Sequence, residues 1–455
     1  MSIKPGHPNL VQVQIRDLGT DGAGIGESDG RVVFVEGALP GEWVEARITS
    51  GTRGRFYGEV RAITEKSPQR RQPPCILATE CGGCSLQHWD DSAQVLWKQN
   101  RLQEQLRRIG ALELNVETIR ASAQTLGYRN RAIIPIQQGQ NGLRAGFYRR
   151  GSHSVVNMNH CLVLDPRLDE LIEPMKADLA ETDWPIYDEE AQTGLLRHLV
   201  LRVGANSGEI LAGLVARDHS FDGAEALAQQ WLDRWPQLVG VVLNLQPKAS
   251  NTLLGPMEVL LGGRPWLMES FAGRRFQIAL DTFFQVHTQQ AERLVQLLRE
   301  GLALKTGEVL VDGYCGVGTL GLPLIEQGMR LIGIELHPSS IERARCNAML
   351  NGIENAEFQV GAMERTLKQV LPFTDALLLD PPRKGLTEGL CTAIAMEPPE
   401  RVAYVSCNPS TLSRDLARLT ATGTLKVSTI QPLDFFPQTT HTEALAMLVR
   451  PAVQP

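Results

Sequence analysis

The sequence predicts an α/β protein: a doubly wound, mostly parallel C-terminal sheet preceded by a small N-terminal β-barrel and a central α+β region. Three observations predict it. After about Thr282, apolar runs of strand length (EVLVDGYCG, RLIGIEL, AEFQVG, DALLLDPP, RVAYVSCNP, TLKVSTI, EALAMLVR) alternate with helix-length spacers, the signature of βαβ units. Val11, Val13 and Ile15 alternate at the strand period before the glycine turn DGAGIG, as a small barrel requires. The segment EKSPQRRQPP then breaks regularity with proline and charge, which marks a linker. With 455 residues the chain exceeds one ordinary core. The expected boundaries are 1–65 for the barrel, 66–281 for the central region and 282–455 for the doubly wound domain.

In the central region, residues 102, 106 and 109 recur at helical spacing between Asp91 and Gly110, so a helix is predicted there. The runs YRNRAIIPIQ and RHLVLRVGANSGEILAGLVAR predict strands, with Asn206-Ser207-Gly208 as a hairpin turn.

Composition narrows the function classes. Apolar residues make up 43% and charged residues 21%, a globular balance, and no apolar run approaches the roughly 18 residues that span a bilayer. The opening MSIKPGHPNL lacks the apolar core of a signal peptide. The expected setting is the cytoplasm, without membrane association, and a monomer. The net charge of −6 argues against a nucleic-acid partner only as a global sum, for Lys66 to His160 carries thirteen Lys and Arg against six Asp and Glu. Such local basic excess is either a solvated face or the footprint of RNA.

Chemistry concentrates where the predicted parallel strands end. VLVDGYCGVGTLGLPL is an apolar strand ending at Asp312, then Gly313, Gly316 and Gly318, then a helix; glycines at such a crossover let the backbone approach a ligand. The next strand ends at Glu335, an acid suited to a ribose diol. The spacing is G-x-x-G-x-G rather than the dinucleotide G-x-G-x-x-G, which favours S-adenosylmethionine. The fourth strand ends in LLLDPPRKG, where Pro381 and Pro382 hold Asp380 on a stiff, extended loop. The fifth ends in YVSCNP, which puts Cys407 at the same edge. An isolated strand cysteine is most often a small core residue, but a thiol beside a methyl donor has a specific use. Pyrimidine C5 is a poor nucleophile until a thiolate adds to C6, after which C5 accepts a methyl group. A base must then remove the C5 proton, and HTEALAML offers His441 and Glu443 just before the last strand.

The motifs DTFFQVH (Asp281 to His287), DGYCGVGT, LLLDPPRKG, SCNPSTLSRDL and HTEA, in that order, resemble the RNA uracil-5-methyltransferase family, which modifies ribosomal and transfer RNA. The resemblance covers nearly the whole chain. It implies a Rossmann-like methyltransferase domain, an N-terminal TRAM/OB-like RNA-binding barrel, Cys407 as nucleophile and Glu443 as the proton-removing base. It further implies that Gln285, Tyr314, Glu335 and Asp380 hold S-adenosylmethionine, with uracil contact open for Gln285 and Asp380. Thr319 and Ala362 depart from the family's polar pattern and are left out of the site.

Four more cysteines carry a separate signal. CILATECGGC sets Cys75, Cys81 and Cys84 at C-x5-C-x2-C, and Cys161 offers a remote fourth. By spacing alone the set suits zinc or an iron–sulfur cluster equally. The resemblance favours a 4Fe-4S cluster, structural because uracil methylation transfers no net electrons. Cys315, Cys346 and Cys391 read as packing residues. RNA, with 23S ribosomal RNA first and transfer RNA second, is the expected partner. A cytosine-5 methyltransferase, an electron-carrying iron–sulfur protein and a non-catalytic RNA-binding protein are the rival readings.

Overall fold

The computed structural model describes residues 10–52, 54–140, 142–219, 221–250 and 252–452. They form two compact units: one comprising residues up to Asn100 with Tyr148–His153 and Phe436–His441, the other comprising Arg101–Phe147, Ser154–Phe435 and the residues from Thr442 onward.

In the first unit, strands β1 (Leu10–Leu18), β2 (Gly24–Ser28), β3 (Arg31–Glu36), β4 (Trp43–Gly51) and β5 (Arg55–Glu65) close a barrel in the order β1-β2-β3-β5-β4. The predicted alternation holds: Val11, Val13 and Ile15 turn inward onto Val33, Val35, Val44 and Phe56, while their neighbours face solvent. Glu42, fully buried, is neutralised by a two-pronged pairing with Arg70 (2.5 and 2.7 Å), which ties the linker after β5 to the barrel. Helix α1 (Asp91–Gly110) follows, as the periodicity predicts.

The second unit contains a six-stranded sheet and the doubly wound sheet. The first is built from β6 (Arg131–Gly139), β7 (Gly142–Ala145), β8 (Leu196–Val203), β9 (Ile210–Ala216), β10 (Leu238–Leu245) and β11 (Met257–Gly263), in the order β11-β10-β9-β8-β6-β7. Helix α2 (Pro166–Ala180) lies between β7 and β8 in sequence, and α3 (Ala224–Arg234) between β9 and β10. The predicted turn at Asn206-Ser207-Gly208 joins the antiparallel β8 and β9, with Gly208 at φ +81°, a conformation glycine takes without steric cost. A hairpin, β12 (Trp266–Phe271) and β13 (Arg274–Ala279), leads into the segment from Asp281 to His287.

After helix α4 (Thr288–Leu302), strands β14 (Val309–Gly313), β15 (Arg330–Glu335), β16 (Ala356–Val360), β17 (Ala376–Leu379), β18 (Arg401–Ser406), β19 (Lys426–Leu433) and β20 (Glu443–Val449) form a seven-stranded sheet ordered β16-β15-β14-β17-β18-β20-β19. The intervening helices are α5 (Pro338–Leu350), α6 (Met363–Val370), α7 (Glu388–Met396) and α8 (Pro409–Thr420). Every strand pairing is parallel except those of β20, which runs antiparallel between β18 and β19. The order reverses at β14, between β15 and β17, which is the topological switch where such sheets bind ligands. Strands β14, β17 and β18 are apolar and buried on both faces, as a sheet covered by helices demands. Cys391 lies in this core and Cys315 is buried, both as packing residues, whereas Cys346 is only half-buried.

Asn347 on α5 braces the switch point. Fully buried, it accepts from the Gln277 N–H (2.7 Å) and donates to the Val317 carbonyl (3.1 Å), so β13 and the glycine turn are held by one amide.

Candidate active site

The parallel register brings the chemistry-bearing residues of distant segments to one edge. Asp312 and Gly313 pair with Gly333 and Ile334 on one side and with Leu378 and Leu379 on the other. Glu335 and Asp380, one residue further along each neighbour, therefore flank the turn that follows β14. On β18, Ser406 pairs with Ala444 of the antiparallel β20, so Cys407 and Glu443 are the next residues out on adjacent strands. The structure thus gathers Tyr314, Glu335, Asp380, Cys407 and Glu443 at the carboxyl edge, and Gln285 joins them through its Nε2, which donates to Asp380 Oδ2 (3.1 Å).

The glycine turn is shaped for close approach. Tyr314, Gly316 and Gly318 all take positive φ (66°, 55° and 83°). For a tyrosine this costs about 1–3 kcal/mol and persists only where the surroundings impose it. A methyl group built at Gly316 would meet nothing within 4 Å, so open space faces the turn. Glu335 is fixed there, accepting from the Gly316 N–H (3.2 Å) and the His337 N–H (2.9 Å), and a carboxylate retains further acceptor sites for hydroxyl donors. Asp312 is 1% exposed, and its Oδ2 has no partner among the described residues. A buried orphan oxygen is costly unless it is protonated or meets a ligand donor. Acids at three strand ends around an open glycine turn fit a ligand bearing hydroxyl and amino groups.

Electrostatics set the resting protonation. Burial, reinforced by the nearby Asp380 charge, pushes the Asp312 carboxyl well above its usual range. Burial raises Asp380 to about 7 against the Gln285 hydrogen bond that favours its anion. Glu443 is pushed well up by burial and then by Asp380, with Arg383 opposing. The Cys407 thiol rises to about 11, first through burial, then through Glu443, with Arg383 again pulling the other way.

Arg383 was missed in the sequence reading, although it stands inside LLLDPPRKG; it is the cation that acts on both Cys407 and Glu443. Its place is set by Asn408, which caps α8 by accepting from Ser410 N–H (3.1 Å) and donates to the Arg383 carbonyl (3.1 Å). Asn130 was missed too: it donates to the Gln285 carbonyl (2.9 Å) and Thr288 Oγ1 (3.0 Å), fixing the segment between β13 and α4 that carries Gln285. Ala362 caps α6 without a side-chain bond, in keeping with its omission.

Residues 270–451 match the family model described as tRNA (Uracil-5-)-methyltransferase, and residues 10–60 match the TRAM domain. An RNA methyltransferase of Nostoc sp. is 45% identical over 97% of this chain and 96% of its own length. One of Halalkalibacterium halodurans is 36% identical over 97% of each. The chain belongs to the RNA uracil-5-methyltransferase family. Among solved structures, this methyltransferase is similar to the tRNA (uracil-54, C5)-methyltransferase of Pyrococcus abyssi, crystallised with S-adenosyl-L-homocysteine. The TM-score is 0.78 at 27% identity, over 96% of this chain and 100% of that one. The methyltransferase fold and the TRAM barrel expected from sequence are both present.

The cysteine loop of this methyltransferase lies in the first unit. Cys75, Cys81 and Cys84 are half-buried. Gly83 N–H points at Cys81 Sγ (3.4 Å), while Arg150 donates to the Ala78 and Cys84 carbonyls. Burial raises the Cys81 thiol, and Cys75 adds to that. Cys161 belongs to the second unit, its N–H bonded to Asp169. Thiols with an N–H donor and an arginine nearby have the donor chemistry of a thiolate site. Among the described residues, however, no three His, Cys, Asp or Glu side chains gather as a coordination sphere requires, so no step below is drawn through a metal. No helix of the described residues is long and apolar enough to cross a membrane.

A thiol raised to about 11 is thiolate in only about one molecule in 10⁴ at pH 7. Iodoacetamide labelling of Cys407 in the free protein, followed by peptide mass spectrometry, should accelerate about tenfold per pH unit from pH 7 and level off near 11. A plateau by pH 9 would contradict this electrostatic reading.

Proposed function

We propose that the protein forms 5-methyluridine at one uridine of structured RNA, through transient addition of Cys407 to uracil C6. The observation that carries the proposal is the β18–β20 register, in which Ser406 faces Ala444 and the thiol and carboxyl beyond them share one edge with Asp380. A cytosine enzyme is disfavoured by Asp-Pro-Pro where such enzymes carry their thiol.

S-adenosylmethionine supplies an electrophilic methyl group on a sulfonium, and Tyr314, Glu335, Asp380 and Gln285 are proposed to hold it, Gln285 and Asp380 reaching the uracil as well. Cys407 loses its proton to solvent and its sulfur bonds to C6; the C5–C6 π electrons move to C5, with charge shared onto O4. C5 then bonds the methyl carbon as the methyl–sulfonium bond breaks, its electron pair staying on the sulfur, which leaves as the neutral thioether. Glu443, ionised for this step, removes the C5 hydrogen as a proton; the C5–H pair re-forms the C5–C6 double bond and expels the sulfur as thiolate. Arg383 favours the charged forms of both groups. Reaching Cys407 requires the base to leave its stack, at a cost of about a few kcal/mol that is least in loops.

The finer reading places the enzyme in the cytoplasm as a monomer, with 23S ribosomal RNA as substrate. Its segments are the barrel (1–65), the central domain (66–281) and the methyltransferase domain (282–455). In this reading Cys75, Cys81, Cys84 and Cys161 hold a 4Fe-4S cluster that fastens the basic central region. The C-x5-C-x2-C spacing, the N–H···S bond at Cys81 and the local excess of basic residues support it. Transfer RNA is the second reading, favoured by the named substrate of the Pyrococcus abyssi relative.

Mass spectrometry of nucleosides from ribosomal and transfer RNA, with and without this protein in the cell, identifies product and substrate together. Loss of 5-methyluridine from one pool is expected, and no loss from either refutes the function. Cys407→Ala should lower turnover by about 10⁴-fold or more. Glu443→Gln should instead accumulate an RNA–protein adduct that releases slowly, and prompt release would remove Glu443 from its role. Anaerobically purified protein should carry about four iron and four sulfide per chain on the cluster reading, and stoichiometric zinc would replace it.

A further inference from the structure

Beyond the reacting edge, the second unit contains a cavity of about 260 Å³ that the reaction leaves unused. Among its lining residues are Gln124, Tyr128, Arg167, His287 and Gln289. It lies on the segment that positions Gln285: His287, Thr288 and Gln289 face the cavity, while the Gln285 side chain reaches Asp380. Asn130 bonds both the Gln285 carbonyl and Thr288 Oγ1, so the two sites share one rigid wall.

The lining is polar and prearranged. Arg167 is held flat by Asp165 (2.8 and 2.6 Å) and by the Ala205 carbonyl (3.0 Å), leaving a guanidinium plane of the kind on which bases stack. In the same lining, His287 stacks on Tyr128 (4.6 Å, 17°). Ser122 Oγ lies within hydrogen-bond distance of both His287 Nε2 (2.8 Å) and the Gln124 carbonyl (2.5 Å), which anchors the ring. Gln124 and Gln289 are exposed, and their amides make no hydrogen bond among the described residues. Helix α4 begins here with no side-chain cap, so its first N–H groups lack intrahelical partners.

Charge decides what these groups would hold. Asp165 neutralises Arg167 and already caps α2, and burial keeps His287 neutral, its pKa lowered to about 4. A phosphate would meet no net positive charge. A neutral base fits: its ring faces suit a guanidinium plane, and its edge groups suit two free amides and open N–H donors.

We propose that this cavity is a second nucleobase subsite, taking a base that flanks the reacting uridine; the inference rests on the RNA methyltransferase reading above. Extruding one base leaves its neighbours unstacked, and a pocket sharing a wall with the reacting edge captures one of them.

The test uses the full-length enzyme, radiolabelled S-adenosylmethionine and total RNA from cells lacking the protein. Gln124→Leu and Gln289→Leu change side chains without intramolecular bonds, so folding is preserved. Each should lower kcat/KM about tenfold, the worth of one lost amide contact to a base, with kcat within about twofold. On a short transcript carrying the mapped uridine, an abasic site at one flanking position should cost wild type the same factor and cost the variants nothing further. Unchanged kcat/KM in both variants, with wild type active, overturns the subsite alone. Absence of label in RNA with wild type overturns the function and the subsite together, and a loss confined to kcat assigns these residues to chemistry instead.

Discussion

Asp312, Asp380, Glu443 and the Cys407 thiol are buried wholly or in large part within one electrostatically connected site, and a medium of low polarity cannot hold all of them as anions. Each negative charge raises the proton affinity of the others, so the resting site is substantially protonated and its thiol is masked. Ligand charge unlocks such an arrangement. A sulfonium cation beside the acids would favour their ionised forms, and the Arg383 cation acts in the same sense on the thiol and on Glu443. The site is therefore biased toward reactivity when cofactor is bound, which protects the thiol from adventitious modification between turnovers.

That constraint is imposed by the fold. Parallel strands β14, β15, β17 and β18 all end at one edge, so a residue placed directly after each apolar run is delivered to the same cleft. The antiparallel β20 enters that edge from the opposite direction and contributes its first residue, Glu443, where the others contribute their last. A parallel strand at this position would have sent Glu443 to the far side of the sheet. Asn347, Asn130 and Asn408 then hold the three segments between strands that carry the glycine turn, Gln285 and Arg383. Side-chain amides suit this work: Asn347 and Asn408 each use both donor and acceptor, whereas Asn130 acts through its Nδ2 alone.

Most of this edge was legible in sequence because period and punctuation are local properties. Seven apolar runs gave seven strands, and Asp312, Glu335, Asp380 and Cys407 each follow or close such a run. What was not legible depends on contacts between distant segments. Nothing local marks Asn130 as the support for Gln285, since its partners lie 155 and 158 positions away. Arg202 sits in a wholly buried strand, where composition gives no reason for a charge; its guanidinium donates to the Ala279 and Thr282 carbonyls. The inclusion of residues 148–153 and 436–441 in the first compact unit likewise rests on tertiary contacts, such as Arg149 with Glu80 and Gln438 with Gln94. The cysteine spacing signals a thiolate site, but spacing says nothing of how the remote Cys161 is oriented.

The most direct test of the central claim is a substrate whose C5 hydrogen is replaced by fluorine. Once Cys407 has bonded to C6 and C5 has been methylated, Glu443 finds no proton to remove, and the sulfur–carbon bond cannot be eliminated. Incubation with 5-fluorouridine-substituted RNA and S-adenosylmethionine should leave a stable RNA–protein species, with the nucleotide mass on the peptide containing Cys407. Methylation of ordinary RNA by the same preparation, without any such species from the fluorinated RNA, would contradict covalent catalysis by this thiol.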